Sequence, residues 1–297
     1  MELSIIIPTR DRYQSLMRLL SSLSARVSPL DSVEVIVVEN GASGDLRPRL
    51  ASYQKKFSKL THLYLSGQGV NYARNAGLER AVGEWILFLD DDCQIPNDWS
   101  IQSFRKLSKE FPDAKGFGGY YLTKFGAPSS ATYYNSLCNF WLDVFIGTEG
   151  RALRLLGGNC FFRADIFKAE TKFRQEISYG GSESELQSRL VAKGASFYLS
   201  KNLSVIHRPD FGWWGVLKRA WLQNSNRARF PAIGEAKVSM KLLVMSSQRE
   251  VSFFSFCVLI PYLFVGRVAF WSTKIWLALW AVLPLGPRSI PVEERAG

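Results

Sequence analysis

Through residue 90 the chain alternates short, nearly unbroken apolar runs with segments whose apolar positions recur at helical spacing. The runs Leu3–Pro8, Val33–Val38, Leu60–Leu65 and Trp85–Leu89 read as strands, and Gln14–Leu23, Leu46–Phe57 and Val70–Ala81 as the helices between them. Strands that are apolar throughout, rather than at every second position, have both faces covered. The pattern therefore predicts an α/β fold, a mostly parallel sheet with helices on both faces, in which ligands collect at the carboxyl ends of the strands. Three polar clusters fall at such ends: Pro8-Thr9-Arg10-Asp11, Glu39-Asn40-Gly41 and Asp90-Asp91-Asp92. From about residue 115 the pattern turns irregular, with Gly116, Gly118, Gly119, Gly157 and Gly158 marking turns. One further helix is expected over Ser182–Lys193, stopped at Gly194.

Charge changes the picture at the other end. Lys plus Arg number 37 against 26 acids in 297 residues, a net charge of +11. Trp213–Arg249 holds seven Lys or Arg against the single acid Glu235, and Val251–Pro287 then carries only Arg267 and Lys274. A basic stretch followed by an aromatic-rich apolar one predicts a membrane-associated tail and makes a nucleic-acid partner the weaker explanation of the charge. Val251–Gly266 and Val268–Leu285 each fall short of the ~20 residues of a spanning helix, so a kinked span, a re-entrant hairpin, interfacial helices and a buried helix pair stay open. The expected division is a main domain at 1–230, whose pattern changes at about residue 115, a basic linker at 231–250 and a tail at 251–297. Cys93, Cys138, Cys160 and Cys257 are scattered without a C-x-x-C pair, which argues against a zinc ribbon or a disulfide framework and for a reducing compartment.

Three successive carboxylates after an apolar strand repel one another unless a cation or several donors sit among them. Hard oxygen ligands suit Mg²⁺ or Mn²⁺ shared with substrate phosphates; the alternative is a solvated acidic turn. On the helix Val70–Ala81, Asn71, Arg74 and Asn75 share one face, which would aim Arg74 at a diphosphate, and the helix N-terminus behind Gly67 and Gly69 favours anions.

Ser4-Ile-Ile-Ile-Pro-Thr-Arg-Asp-Arg12, Val37-Val-Glu-Asn-Gly41, Ala73-Arg-Asn-Ala-Gly77 and Phe88-Leu-Asp-Asp-Asp92, in this order and spacing, together resemble glycosyltransferase family 2. The resemblance runs from Leu3 to about Phe230 and implies that 1–230 is the catalytic domain, with a nucleotide-sugar half to 114 and an acceptor half from 115 to 230. It implies a GT-A type, Rossmann-like fold, an inverting mechanism and a nucleotide-sugar donor, here a UDP-linked one; joined to the expected membrane-associated tail, it gives a glycan or lipid-linked acceptor at the cytosolic membrane face. By the same resemblance the donor is bound by Pro8, Thr9, Arg10, Glu39, Asn71, Arg74, Asp90 and Asp91. Asp92 ligates the metal as the last acid of the Asp-x-Asp motif, with His207 as a further ligand. Gly157-Gly158-Asn159 resembles the acceptor-side strand, giving Gly158 and Asn159 as acceptor contacts.

Gly180-Gly-Ser-Glu-Ser-Glu-Leu186 resembles the family's base-bearing motif and gives Glu183 as the general base. Three positions depart from the family: Glu39 stands where Asp is usual, Ser182 where an acid is usual, and Glu183 where Asp is usual. Ser182-x-x-Glu185 also reads as a capping box, and Glu185 with Arg189 as an i, i+4 pair, which accounts for Glu185 and leaves Glu183 over. His62 receives no role. A sugar-nucleotide pyrophosphorylase and a non-enzymatic nucleotide-sugar-binding protein at a membrane are the competing readings. The sugar, acceptor and linkage depend on residues 115–180, whose loops the pattern leaves undetermined.

Overall fold

The computed structural model describes residues 1–41, 46–66, 69–144, 146, 151–167, 171–177, 180–230 and 264–276. The first four apolar runs are strands β1 (Leu3–Thr9), β2 (Val33–Glu39), β3 (Lys59–Tyr64) and β4 (Trp85–Leu89). They pair in parallel in the order β3-β2-β1-β4, with Thr9 level with Glu39 and Ile6 level with Phe88. The three polar clusters therefore emerge at one end of the sheet. Helices α1 (Tyr13–Ser24) and α3 (Val70–Arg80) connect these strands. Ile5, Ile7, Leu16, Leu19 and Leu20 pack in the core on one sheet face, and Ile6, Ile36, Ala73 and Phe88 in that on the other. Burying an Ile or Leu side chain contributes about 1.5–3 kcal/mol, so the sheet is fixed chiefly by this two-sided burial.

The expected helix over Leu46–Phe57 is shorter than predicted. It stops at α2 (Arg47–Ala51), and a separate 3-10 turn covers Gln54–Lys56. The break lets Tyr53 donate to the Met17 carbonyl (3.3 Å) while Phe57 remains in the core.

Beyond residue 92 come β5 (Cys93–Gln94), α4 (Ile101–Glu110), β6 (Gly116–Gly118), β7 (Tyr121–Leu122), α5 (Ser129–Val144), β8 (Arg151–Ala152), β9 (Asn159–Arg163), α6 (Ser182–Ala192), β10 (Phe197–Leu199), β11 (Val205–His207) and α7 (Trp213–Arg229). Strand β9 lies antiparallel between β4 and β6, which extends the sheet to eight strands in the order β3-β2-β1-β4-β9-β6-β10-β8. A second sheet, β5-β11-β7, sits beside it. The two expected halves thus share one sheet. Helices α5 and α7 pack on each other through Leu137, Val216 and Ala220.

Of the expected tail, only 264–276 is described, as a helix whose Val265 packs on the α5–α7 cluster; the basic linker, 251–263 and 277–297 lie outside the described residues. Phe264, Val268, Trp271 and Ile275 of this helix are exposed. Among the described residues no helix is long and apolar enough to cross a membrane.

Candidate active site

One cavity of about 580 Å³ opens at the carboxyl end of the parallel strands. Pro8 and Thr9 at the end of β1, Arg10 and Arg12 just beyond it, Asp90–Asp92 after β4, and Gly69, Val70 and Arg74 at the start of and within α3 line it. From the second half it receives Gly157 and Gly158, the start of α6 with Ser182 and Glu183, His207, and side chains of α5 and α7.

The aspartate triplet is neutralised from within the protein. The Arg12 guanidinium donates to Asp92 Oδ2 (2.9 Å) and Asp210 Oδ1 (3.3 Å) and forms an ion pair with Asp91 Oδ1 at 2.9 Å. Thr9 Oγ1 donates to Asp91 Oδ2 (2.7 Å), and Arg74 Nη2 reaches Asp90 Oδ1 (3.2 Å). Charge repulsion alone therefore does not demand a metal, and the Thr9 hydroxyl is already engaged. Arg12 was visible only as part of a motif; its pairing with Asp91 and Asp92 arises because β1 and β4 are neighbours in the sheet. Burial pushes Asp91 up to about 7 against the pull of Arg12.

Arg74 is 2% exposed and does not point at an open phosphate site. Its Nη1 donates to Glu183 Oε1 at 2.6 Å while Nη2 holds Asp90, and its guanidinium lies 5.3 Å from the Phe173 ring centre. This bridge joins the strand-end acids to the first turn of α6. Burial works against charge on Glu183, but Arg74, then the residue's own backbone amide and lastly the Ser182 hydroxyl, outweigh it and hold the carboxyl below the usual glutamate range. Gly181, at φ 86°, is the residue that caps α6, so the expected Ser182–Glu185 capping box does not form. Ser182 is instead the first helical residue. Glu185 is buried and bound by Arg189 (2.8 and 2.9 Å) and Arg174 (2.8 Å), the structural pairing that the spacing suggested.

Gly157 and Gly158 make room for these carboxylates. A Cβ on Gly157 would collide with the Glu183 side chain, and one on Gly158 with that of Asp90. The Gly158 carbonyl also accepts the Asp90 amide (3.2 Å). Gly158→Ala should therefore displace Asp90 and lower activity by at least about tenfold, as for a small misplacement at a reacting centre. Melting curves alongside rates check this, and an alanine variant with full activity would overturn it.

Asp92 and His207 stand together on the cavity wall. Asp92 Oδ1 is buried, 3.4 Å from His207 Nε2, and makes no hydrogen bond. His207 Nδ1 lies 2.6 Å from Asn135 Oδ1, and Asn135 Nδ2 donates to the His207 carbonyl (3.0 Å). That amide orientation has Nδ1 donating to Asn135 and turns Nε2 toward Asp92. Tyr121 stacks on the imidazole at 4.1 Å. Among the described residues no cluster of three or more His, Cys, Asp or Glu side chains is arranged to hold an ion. The pair nevertheless fits a divalent ion whose remaining ligands are substrate oxygens and water.

Glu39, Asn71 and Asn159 are not on the cavity wall. Glu39 is buried, 2.9 Å from His62 Nε2, and accepts from the Tyr13 hydroxyl (3.3 Å), so His62 has a partner that the sequence did not disclose. Asn71 Nδ2 donates to the Arg174 and Ile177 carbonyls (2.8 and 2.6 Å), and Asn75 likewise grips Phe173. The polar face of α3 therefore anchors the 173–177 loop, with Arg74 alone reaching the cavity. Asn159 Nδ2 donates to the Leu203 carbonyl (2.9 Å) from a buried position. Gly67 lies outside the described residues, while Gly69, at φ 102°, caps α3 at the cavity wall.

This architecture is a GT-A-like α/β fold, and residues 4–127 match the model of glycosyl transferase family 2. Over most of the chain it is similar to glycosyltransferase AglE of Haloferax volcanii, 23% identical over 261 residues, covering 88% of this chain and 81% of that one. It is also similar to the GalNAc(5)-diNAcBac-PP-undecaprenol beta-1,3-glucosyltransferase of Campylobacter jejuni, 26% identical over 226 residues, covering 74% and 70%. Among solved structures it resembles mannosyltransferase PcManGT from Pyrobaculum calidifontis in complex with GDP-Man and Mn²⁺, with a TM-score of 0.64 at 15% identity over 93% of this chain and 87% of that one. It resembles S. aureus TarS 1-349 in complex with UDP-GlcNAc with a TM-score of 0.55 at 17% identity, over 80% and 68%. These relatives support a role in glycosyl transfer.

Proposed function

We propose that the chain is an inverting glycosyltransferase that moves a sugar from a UDP-linked donor to a glycan or lipid-linked acceptor at the cytosolic face of a membrane. The observation that carries this reading is the Arg74 bridge, which sets Glu183 and the strand-end aspartates in one cavity. Inversion needs a carboxylate that takes the acceptor hydroxyl's proton as that oxygen attacks the anomeric carbon and the nucleoside diphosphate departs. Glu183, ionised and on the cavity wall, is placed for that work. Thr9, Arg12 and Arg74 keep the aspartates oriented on the donor side. When held by Asp92 and His207, Mn²⁺ or Mg²⁺ would supply positive charge to the departing diphosphate. The membrane part of the reading is supported by the exposed aromatics Trp213, Trp214 and Trp221 of α7 and by the exposed apolar residues of the 264–276 helix, whose Val265 packs on the α5–α7 cluster.

The test is a panel of UDP- and GDP-linked sugars with a mixed glycan-lipid acceptor pool, assayed for the phosphorus-containing product. Free nucleoside diphosphate, lost on chelation and lost in Asp92→Asn, is the expected result. Pyrophosphate release would favour the pyrophosphorylase, and donor binding without turnover the non-enzymatic reading. Turnover that chelator leaves untouched would remove the metal from the proposal and keep the transfer.

A further inference from the structure

Helix α5 grips the small sheet that carries His207. Asn135 and Asn139 stand one turn apart on it, and each holds a strand with both ends of its side-chain amide. Asn139 Oδ1 accepts from the Tyr121 amide (2.9 Å) and its Nδ2 donates to the Tyr121 carbonyl (2.8 Å), in β7. Asn135, 1% exposed, reaches β11: its Nδ2 donates to the His207 carbonyl (3.0 Å) and to Thr123 Oγ1 (3.2 Å). Its Oδ1 lies 2.6 Å from His207 Nδ1, so this clamp takes hold of the imidazole as well as the backbone. A carbonyl oxygen only accepts, so the amide nitrogen of Asn135 must face the His207 carbonyl and its oxygen must face the ring. The amide oxygen also only accepts, so Nδ1 carries a hydrogen. In a neutral imidazole that is the single ring hydrogen, and Nε2 keeps its lone pair 3.4 Å from the buried Asp92 Oδ1. Two buried acceptors side by side favour a cation shared between them. Tyr121 stacks on the ring at 4.1 Å, and a flip of the ring would set a carbon against Asn135 Oδ1 and give up that bond.

Building on the metal part of the transfer reading, we propose that Asn135 is a positioning residue that fixes His207 as an Nε2 ligand, by holding the ring hydrogen on Nδ1 and the ring turned toward Asp92. Asn135 is not on the cavity wall, so it acts through His207 and not by touching donor or acceptor. A partner that orients a metal-ligating histidine in this way is worth about 10- to 100-fold in metal affinity. Asn139 makes the same pair of amide bonds without reaching a ligand, which separates anchoring of the sheet from orientation of the ring.

The test has a spectroscopic arm and a binding arm, both on the full chain. The chain holds two histidines, so nitrogen-labelled histidine gives two imidazole patterns by NMR, and His62→Gln assigns the remaining one to His207. At about pH 9, where an imidazole of ordinary pKa is neutral, the metal-free wild type should carry the hydrogen on Nδ1. Asn135→Leu should move it to Nε2, which then donates to Asp92. Asn135→Asp, which keeps an acceptor at the ring, should leave it on Nδ1. Asn139→Leu should lower the melting temperature without moving it. In the binding arm, Mn²⁺ titrated in the presence of UDP and followed by its EPR signal should bind the wild type. Its affinity should fall about tenfold or more in Asn135→Leu, with Asn135→Asp between the two. A hydrogen on Nε2 in the wild type or in Asn135→Asp would overturn the proposal even if Asn135→Leu failed to fold. A wild type that takes up no Mn²⁺, or equal affinity in the wild type and Asn135→Leu, would overturn it as well. Mn²⁺ binding that depends on Asn135 in a chain that transfers no sugar would leave the clamp standing and remove the transfer reading instead.

Discussion

Glu183→Gln should lose about 10²- to 10⁴-fold in turnover, the usual cost of deleting a general base, with donor affinity nearly intact. The amide keeps the shape of the side chain but cannot take a proton from the acceptor. The matched control is Glu185→Gln, two residues along the same helix. Glu185 is held by Arg174 and Arg189 and is not on the cavity wall, so its substitution should lower the melting temperature and leave turnover close to wild type. Because Glu183 is held below the usual glutamate range, the acid limb of the wild-type rate profile should also lie below that range. If Glu185→Gln abolished transfer while Glu183→Gln retained it, the base would have to move two residues along; if both stayed active, the base mechanism would fail.

Arg74→Met is expected to have the second large effect, on stability as well as rate. Removing one partner of a buried ion pair costs about 3–5 kcal/mol because the other charge is left uncompensated. Glu183 and Asp90 are 24% and 33% exposed, so solvent screens them in part and the lower end, about 3 kcal/mol, applies. In the wild type, the depressed Glu183 pKa contributes stability that is present above its unfolded value and lost as pH falls through the folded one. In the variant, burial is no longer opposed by the guanidinium, so both carboxyls rise and the folded state prefers them protonated. The stability gap between wild type and variant should therefore be widest near neutral pH and narrow on acidification. Thermal melts across pH 4–8 check this, and a gap independent of pH would mean that Arg74 acts by packing on Phe173 rather than by charge.

The parallel strands were legible because burial on both faces leaves a continuous apolar signature, as in Ile5-Ile6-Ile7. Even there one charge was hidden. Glu34, inside β2, is buried and accepts from the Ser4 hydroxyl (2.6 Å) and the Val82 amide (2.7 Å) with Lys59 at 3.1 Å, partners that only the folded register supplies. The strand-end placement of the acids followed from local motifs, and the nearness of Asp92 to His207 from the family resemblance alone. The partners of those acids did not, because Arg12 meets Asp92 across 80 residues and Arg74 meets Glu183 across 109.

Helix α7 was missed for a different reason. A surface helix normally shows apolar residues to the core and charge to water. This one sends Arg219 and Arg227 into the cavity and leaves Trp214 and Trp221 outside, so its pattern reads as a basic stretch and not as an amphipathic helix. Part of the positive charge ascribed to a lipid surface is thus internal. Helix α5 packs on α7 through Leu137 and lines the cavity with Tyr134, Cys138 and Trp141, which blurs its period in the same way.

The position of β9 bears on how the fold can be divided. The family match ends at residue 127, yet the strand that closes β4 runs from Asn159 to Arg163 and pairs Leu89 with Asn159. A fragment cut at 127 would leave the Trp85–Leu89 edge unpaired, an apolar template for aggregation, and would strip Asp90 of its hydrogen bond to Gly158. The stretch most recognisable by descent is therefore not a self-sufficient folding unit. Its acidic centre and the later segment bearing Glu183 would have to be inherited, transplanted or engineered as a single block.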